Sequence, residues 1–295
     1  MGAMLLPLGK IDLPPHAAFR LKGGENSGIE RIHELCDRDL VQSYKRTRNQ
    51  MMGADYSTKL SAHLSMGCIS ARTINDWVVK WEEFHGGECQ GTVGIRFELL
   101  WRDCMRHTVE KYGKSLFYSG GYQKSQEKWK GQSYEFERWK SGNTGVGLID
   151  ANMRELNQTG FMSNRGRQNV ASFLTKDLYI DWRLGAEYFE EKLVDYDVYS
   201  NWANWQYVAG VGNDPRGSRR FNPLKQSHDY DPKGDYIRAW IPEARHIKNP
   251  EDLFSLWKIE PALRQGDLAK LEGVTNPLRR LEWKKFPGKQ NGRKR

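Results

Sequence analysis

Thr159-Gly160-Phe161-Met162-Ser163-Asn164-Arg165-Gly166-Arg167-Gln168-Asn169-Val170 and Asp195-Tyr196-Asp197-Val198-Tyr199-Ser200-Asn201-Trp202-Ala203-Asn204-Trp205-Gln206 decide how this chain is read. Within fewer than fifty residues they combine arginines, side-chain amides, paired carboxylates and tryptophans. Indole N–H groups need partners when buried, so this mixture fits a buried redox ligand better than a core. The spacing predicts a helix over 159–182, with Asn164, Arg165, Arg167 and Gln168 in its first turns before an apolar face of Val170, Phe173, Leu174 and Leu178. Arginines at a helix start oppose the macrodipole and call for an anion. Asp195 and Asp197 are the nearest acidic pair, which predicts an Arg167–Asp195 ion pair beside a ligand. A calcium-type acidic loop fails for want of further acids and the EF-hand glycine.

The same helical period recurs over Ile29–Tyr44, Ile74–Phe84, Ile95–Tyr112 and Leu184–Leu193, and no strand-type alternation persists. Gly/Asn/Asp/Pro clusters at 86–94, 141–146, 212–218 and 229–234 mark the breaks. The expected organisation is one all-α domain over 23–245, after an irregular lead-in at 1–22. A C-terminal extension over 246–295 ends in a basic, disordered tail.

The formal charge of +9 is uneven. Lys284, Lys285, Lys289, Arg293, Lys294 and Arg295 crowd the last twelve residues without an acid, which leaves +3 for residues 1–283. Nucleic-acid binding by the body therefore needs evidence of its own. The four cysteines are far apart, with no CxxC, and the seven histidines are scattered. No metal site is expected, and a reducing compartment is. No run of eighteen apolar residues predicts a membrane span. Eleven tryptophans are the anomaly. Trp77, Trp81, Trp240, Trp257 and Trp283 read as ordinary packing, and the rest invite a planar ligand, electron transfer or base stacking.

Two further stretches carry chemistry. Four small hydroxyl residues in Tyr56-Ser57-Thr58-Lys59-Leu60-Ser61-Ala62-His63-Leu64-Ser65 lead into a helical stretch, where hydroxyls and free N–H groups can bind phosphate. Plain N-capping by Ser57 or Thr58 is the alternative. In Phe97-Glu98-Leu99-Leu100-Trp101-Arg102-Asp103, Glu98, Trp101 and Arg102 share one helical face. A solvated Glu–Arg bridge is the bland reading, but a tryptophan on that face suggests a pocket carboxyl with a stacking wall.

Over about 19–242 the chain resembles the cryptochrome/photolyase family, in its DASH-type branch. Leu148-Ile149-Asp150-Ala151-Asn152-Met153-Arg154-Glu155-Leu156, the 159–182 run, and 195–223 through Arg219 and Phe221-Asn222-Pro223 carry the resemblance. It implies a helical domain that binds a folded FAD. An N-terminal α/β antenna domain is usual in the family and has no counterpart upstream of residue 19, so no antenna pigment is expected. The face it would cover is expected to meet a protein partner or a second copy.

Matched motif by motif, the resemblance implies that Tyr44, Ser57, Thr58, Lys59, Leu60 and Ser61 hold the FAD phosphates and ribose, with Arg102 also binding the cofactor. Arg167 and Asp195 would pair beside the flavin ring, Asp197 would bond its edge, and Asn201 would face N5 and favour the reduced anion. Trp205, Trp182 and Trp129 would relay electrons, with Trp139 competing for the place of Trp129. Glu98 and Trp101 would line a pocket for a cyclobutane pyrimidine dimer. Asn164 stands where (6-4) photolyases place a histidine, and Gln168 and Tyr207 suggest a wide pocket suited to single-stranded DNA. Arg48, Arg165, Arg219, Lys225 and Gln226 would contact the DNA backbone.

Three functions follow from this. The first is light-driven, FAD-dependent repair of cyclobutane dimers in single-stranded or unpaired DNA. The second is a blue-light photoreceptor that binds FAD and nucleic acid and signals without repair. The weakest is a degenerate domain kept for RNA or partner binding. Nothing in the sequence fixes a compartment.

Overall fold

A computed structural model describes residues 13–18, 20, 22–214 and 219–283. Their order is helical throughout, with two isolated β-bridges (Lys130 with Ile180, Val146 with Ser255) and no sheet among the described residues. In chain order the helices are α1 Glu25–Asp37, α2 Leu40–Thr47, α3 Ser61–Ser65, α4 Ala71–Phe84, α5 Gln90–Tyr112, α6 Tyr134–Lys140 and α7 Gly147–Thr159. There follow α8 Asn164–Ser172, α9 Trp182–Lys192, α10 Val198–Ala209, α11 Pro223–Tyr230, α12 Asp235–Trp240, α13 Pro250–Phe254 and α14 Glu272–Thr275.

Local chemistry sets several of these ends differently from the periodicity. The predicted Ile29–Tyr44 helix is split at Asp39, which takes a left-handed φ of 49° and separates α1 from α2. Asp is among the few residue types that visit this region cheaply. The predicted 159–182 helix begins only at Asn164. Gly160 terminates α7 with φ 69°, and the Ser163 hydroxyl then caps α8 by accepting the Gly166 N–H. After Ser172 the helix widens into a single π turn, Phe173–Asp177. Such turns are uncommon and gather near functional sites.

Side chains bury into two clusters. The smaller joins α1, α2, α4 and α5 through Ile32, Leu35, Val41, Tyr44, Ile74, Val78, Trp81 and Ile95. Gly91 lets α5 approach α2, because any Cβ there would overlap the Val41 carbonyl. The larger cluster is centred on α7, α8, α9, α10 and α12. It also buries Leu253, Phe254, Leu256, Ile259, Leu268, Val274 and Leu281.

The stretch read from the sequence as an extension from residue 246 is thus built into the core as far as Leu281. Its elements run only three to five residues, too short for a helical period to show. The basic tail from Lys284 and residues 215–218 of the Gly/Asn/Asp/Pro cluster at 212–218 lie outside the described residues. Of the five packing tryptophans, Trp81 and Trp240 are buried, while Trp77, Trp257 and Trp283 are partly buried against the two clusters.

Candidate functional site

At the seam between the clusters lies a cavity of about 580 Å³. Tyr44, Ile74 and Ile95 form its wall on one side, and Ala171, Phe189 and Trp205 on the other. Six basic side chains reach it (Arg48, Lys59, Arg102, Arg165, Arg167 and Arg219) against three acidic ones, Glu98, Asp195 and Asp197. The excess suits an anionic ligand.

Its inner part is built from the 56–61 loop and the starts of α8 and α10. Arg167 donates to both oxygens of Asp195, at 2.9 and 2.8 Å, and its Nε holds the Met162 carbonyl at 2.9 Å. Asp197 caps α10 through the Ser200 N–H at 2.8 Å, and the Asn201 amide nitrogen is held by the Ala186 carbonyl at 3.0 Å. Both side chains line the cavity.

Ser57, Thr58, Lys59, Leu60 and Ser61 also line it. The N-capping alternative for Ser57 and Thr58 is not what forms: α3 starts at Ser61 after Leu60, with no side-chain cap. Instead Arg31 of α1 props the loop, donating to the Ser57 and Thr58 carbonyls at 3.2 and 3.1 Å.

Lys59 is buried in a left-handed conformation. Its Nζ sits 3.4 Å from the Tyr56 ring centroid and 4.5 Å from that of Phe161, with no hydrogen-bond partner. Burial pushes the Lys59 ammonium well down and the Tyr56 phenol well up from their usual ranges. Behind them Glu155 is fully buried, and burial lifts it to about 7. The Tyr236 hydroxyl donates to its Oε2 at 2.6 Å, while Oε1 has no partner.

The outer part gathers the residues expected to meet nucleic acid. Glu98 and Trp101 of α5, Tyr207 of α10, Asn164, Arg165 and Gln168 of α8, Arg48 and Arg219 all line the cavity, as does Arg102 of α5, a residue expected at the cofactor. Trp101 stands edge-on to Tyr207, ring centroids 6.0 Å apart at 87°. Arg48 forms an ion pair with Glu98, so two residues assigned to DNA backbone and to lesion hold each other. Arg102 lies 3.7 Å from Asp103. Arg165 is braced by Asn49 at 2.9 Å and Gln168 at 3.0 Å.

Two positions fall away from this group. Gln226 is buried, its amide oxygen accepting from Asn169 at 3.5 Å, and does not line the cavity. Lys225 is exposed but paired with Asp229 at 2.5 Å and does not line the cavity.

Of the tryptophans assigned to the relay, Trp205 lines the cavity, and Trp182 and Trp129 do not. Trp205 is buried against Gly185, where a Cβ would overlap its ring. Gly185 lies one turn after the fully buried Trp182 on α9. The indoles of Trp182 and Trp129 converge on the Ser119 carbonyl, at 3.0 and 3.4 Å. Trp182 also meets Trp202 edge-on at 5.8 Å. Trp139, the sequence competitor of Trp129, is fully buried and contacts Trp205 edge-on at 6.3 Å. Trp129, partly buried, is therefore the one of the two nearer solvent.

A family model described as the FAD binding domain of DNA photolyase matches residues 95–276. The chain belongs to the cryptochrome/photolyase family. It is 52% identical over 266 residues to the cryptochrome DASH of Xenopus laevis, which covers 90% of this chain and 50% of that protein. The solved cryptochrome of Synechocystis sp. PCC6803 superposes with a TM-score of 0.83 at 47% identity, covering 86% of this chain and 53% of the other. A class III photolyase from Agrobacterium tumefaciens superposes at 0.76 with 32% identity, over 86% and 52%. The chain spans about half the length of the curated relatives it matches.

The cofactor of this family domain is FAD. The residues present fit it: Lys59 Nζ and the Tyr56 hydroxyl are buried in the cavity wall without hydrogen-bond partners, in a setting of net positive charge. A buried ammonium without hydrogen bonds is costly, and an anionic ligand such as a diphosphate would relieve it.

Sequence reasoning missed Arg31, Tyr56, Glu155 and Phe97. Glu155 and Tyr56 stood inside quoted motifs but carry no periodic signal. Only the fold shows that both lie buried beside Lys59.

Proposed function

We propose that the chain is the flavin-bearing part of a light-driven repair enzyme for cyclobutane pyrimidine dimers in single-stranded or locally unpaired DNA. The observation that supports this is the sharing of one cavity: the Arg167–Asp195 floor and the Glu98–Trp101–Tyr207 mouth line the same space. When bound and reduced, FAD supplies the excited-state electron.

This chain's residues then bind, orient and exclude. Trp101, fixed edge-on by Tyr207, stacks on a flipped base. Glu98 accepts a hydrogen bond from a thymine N–H once Arg48 turns to a phosphate. Arg165 and Arg219 take backbone phosphates. Asn201 keeps a neutral amide on the flavin side, so no carboxylate there repels a reduced anion. Trp205, Trp182 and Trp129 would form the relay through which an external reductant could photoreduce a bound oxidised flavin, while the electron lent to a dimer would return to the flavin once the ring has split.

The test is dimer repair in single-stranded and duplex oligonucleotides with reduced flavin, in blue light and in darkness. Light-dependent repair with a single-strand bias supports the reading. Flavin photoreduction without repair of either substrate refutes it and leaves the second reading, a photoreceptor. The Arg48–Glu98 ion pair favours that second reading to this extent: the lesion-facing carboxylate already has a partner.

A further inference from the structure

One large apolar side chain at the cavity mouth has no role so far. Phe97 lines the cavity but leaves 54% of its surface exposed, one helical turn before Trp101. Its ring lies 14° from parallel with that of Trp101, centroids 6.4 Å apart. Core packing does not account for a half-exposed phenyl, and the Trp101–Tyr207 contact fixes the orientation that Phe97 repeats. Arg48, Arg165 and Arg219 surround the same mouth. Aromatic faces set among arginines are the chemistry that binds a single strand, since every base has a π-face and every linkage a charge.

We propose that Phe97 is a second stacking platform that holds the nucleobase adjacent to the one entering the cavity. The site would then bind a strand rather than an isolated dinucleotide. This rests on the repair reading for the identity of the flipped base, but not for the stacking itself. Bases of neighbouring nucleotides in a strand tend to lie near parallel, as these two rings do. A duplex offers its bases only after unstacking, so the platform also biases the mouth toward single strands.

The experiment measures binding of FAD-loaded protein in the dark by fluorescence anisotropy, at one fixed salt concentration. The ligands are a thymidine octamer carrying one dimer, the undamaged octamer, and the bare dimer dinucleotide as competitor. Phe97→Ala is expected to weaken both octamers by about fivefold to a hundredfold and the dinucleotide by less than about twofold. Phe97→Trp should restore the octamers. Leu100→Ala, on the same helix with 66% of its surface exposed, should change neither.

Unchanged octamer affinity in Phe97→Ala overturns the proposal. So does an equal loss for the dinucleotide, or a matching loss in Leu100→Ala. The repair reading fails separately: if the unsubstituted protein does not prefer the damaged octamer, the lesion assignment falls. An undamaged-octamer loss in Phe97→Ala would still support stacking.

Discussion

Glu155→Gln isolates the buried acid beside Lys59, and its sign can be worked out. Burial holds Glu155 at about 7 against its ordinary 4.5, with the Tyr236 hydrogen bond and the charges of Lys59 and Arg167 pulling the other way. Between those two values the folded protein keeps a proton that the unfolded chain releases. Stability therefore falls as pH rises through that window and levels off above it. At about 1.4 kcal/mol for each pH unit, the loss is on the order of 3 kcal/mol.

Glutamine keeps an oxygen for the Tyr236 hydroxyl and has nothing to ionise. Urea unfolding of FAD-saturated protein between pH 4.5 and 7.5 should show Glu155→Gln gaining about 3 kcal/mol on the unsubstituted protein across the range. Asp231 is lifted to about 6 by burial and slopes the same way in both proteins, so the difference belongs to Glu155 together with Lys59, whose charged form Glu155 favours. Parallel profiles would refute the reasoning and mean that Glu155 is ionised in the fold, compensated by Lys59.

Lys59→Met should stabilise the FAD-free protein by about 1–3 kcal/mol, by removing a buried amine without a hydrogen-bond partner, yet weaken FAD binding about tenfold or more. Urea unfolding and flavin fluorescence titration read the two effects, and loss of both together would mean that Lys59 is only structural. Arg167→Ala strands the buried Asp195 carboxylate and should cost about 3–5 kcal/mol, with Asp195→Asn clearly milder; thermal denaturation at one pH ranks them. Gly185→Ala drives a methyl into the Trp205 ring and should cost about 1–3 kcal/mol with a shift in tryptophan emission.

Much of the helical fold was legible because α4, α5 and α9 are long enough, or amphipathic enough, to declare a period. What was not legible shares one physical cause: information carried by single backbone conformations or by pieces too short to repeat. The Asp39 break, the π turn after Ser172 and the short helices between Pro250 and Thr275 are of this kind. At the site, residues in contiguous motifs came together in the cavity. Gln226 did not, since a DNA-facing and a buried glutamine have the same sequence signature. Phe97 went unnoticed for the opposite reason, because an apolar residue on a helix reads as core until its exposure is known.

The Arg48–Glu98 pair links these strands to specificity. Both side chains are about a quarter to a third exposed, so separating them costs little compared with a buried pair. A strand that brings a phosphate to Arg48 and a base N–H to Glu98 replaces one ion pair with two charge-assisted contacts. A ligand offering only one of the two leaves the other group with weaker compensation. On the proposed reading, the mouth therefore discriminates for ligands that present phosphate and base edge together, which an unstacked nucleotide in a strand does and a stacked base pair does not. The same exchange makes Arg48→Ala a mixed change, freeing Glu98 for the base while removing a phosphate contact. Its effect on a short damaged strand should accordingly be smaller than that of Arg165→Ala, whose neutral partners Asn49 and Gln168 gain nothing from its loss.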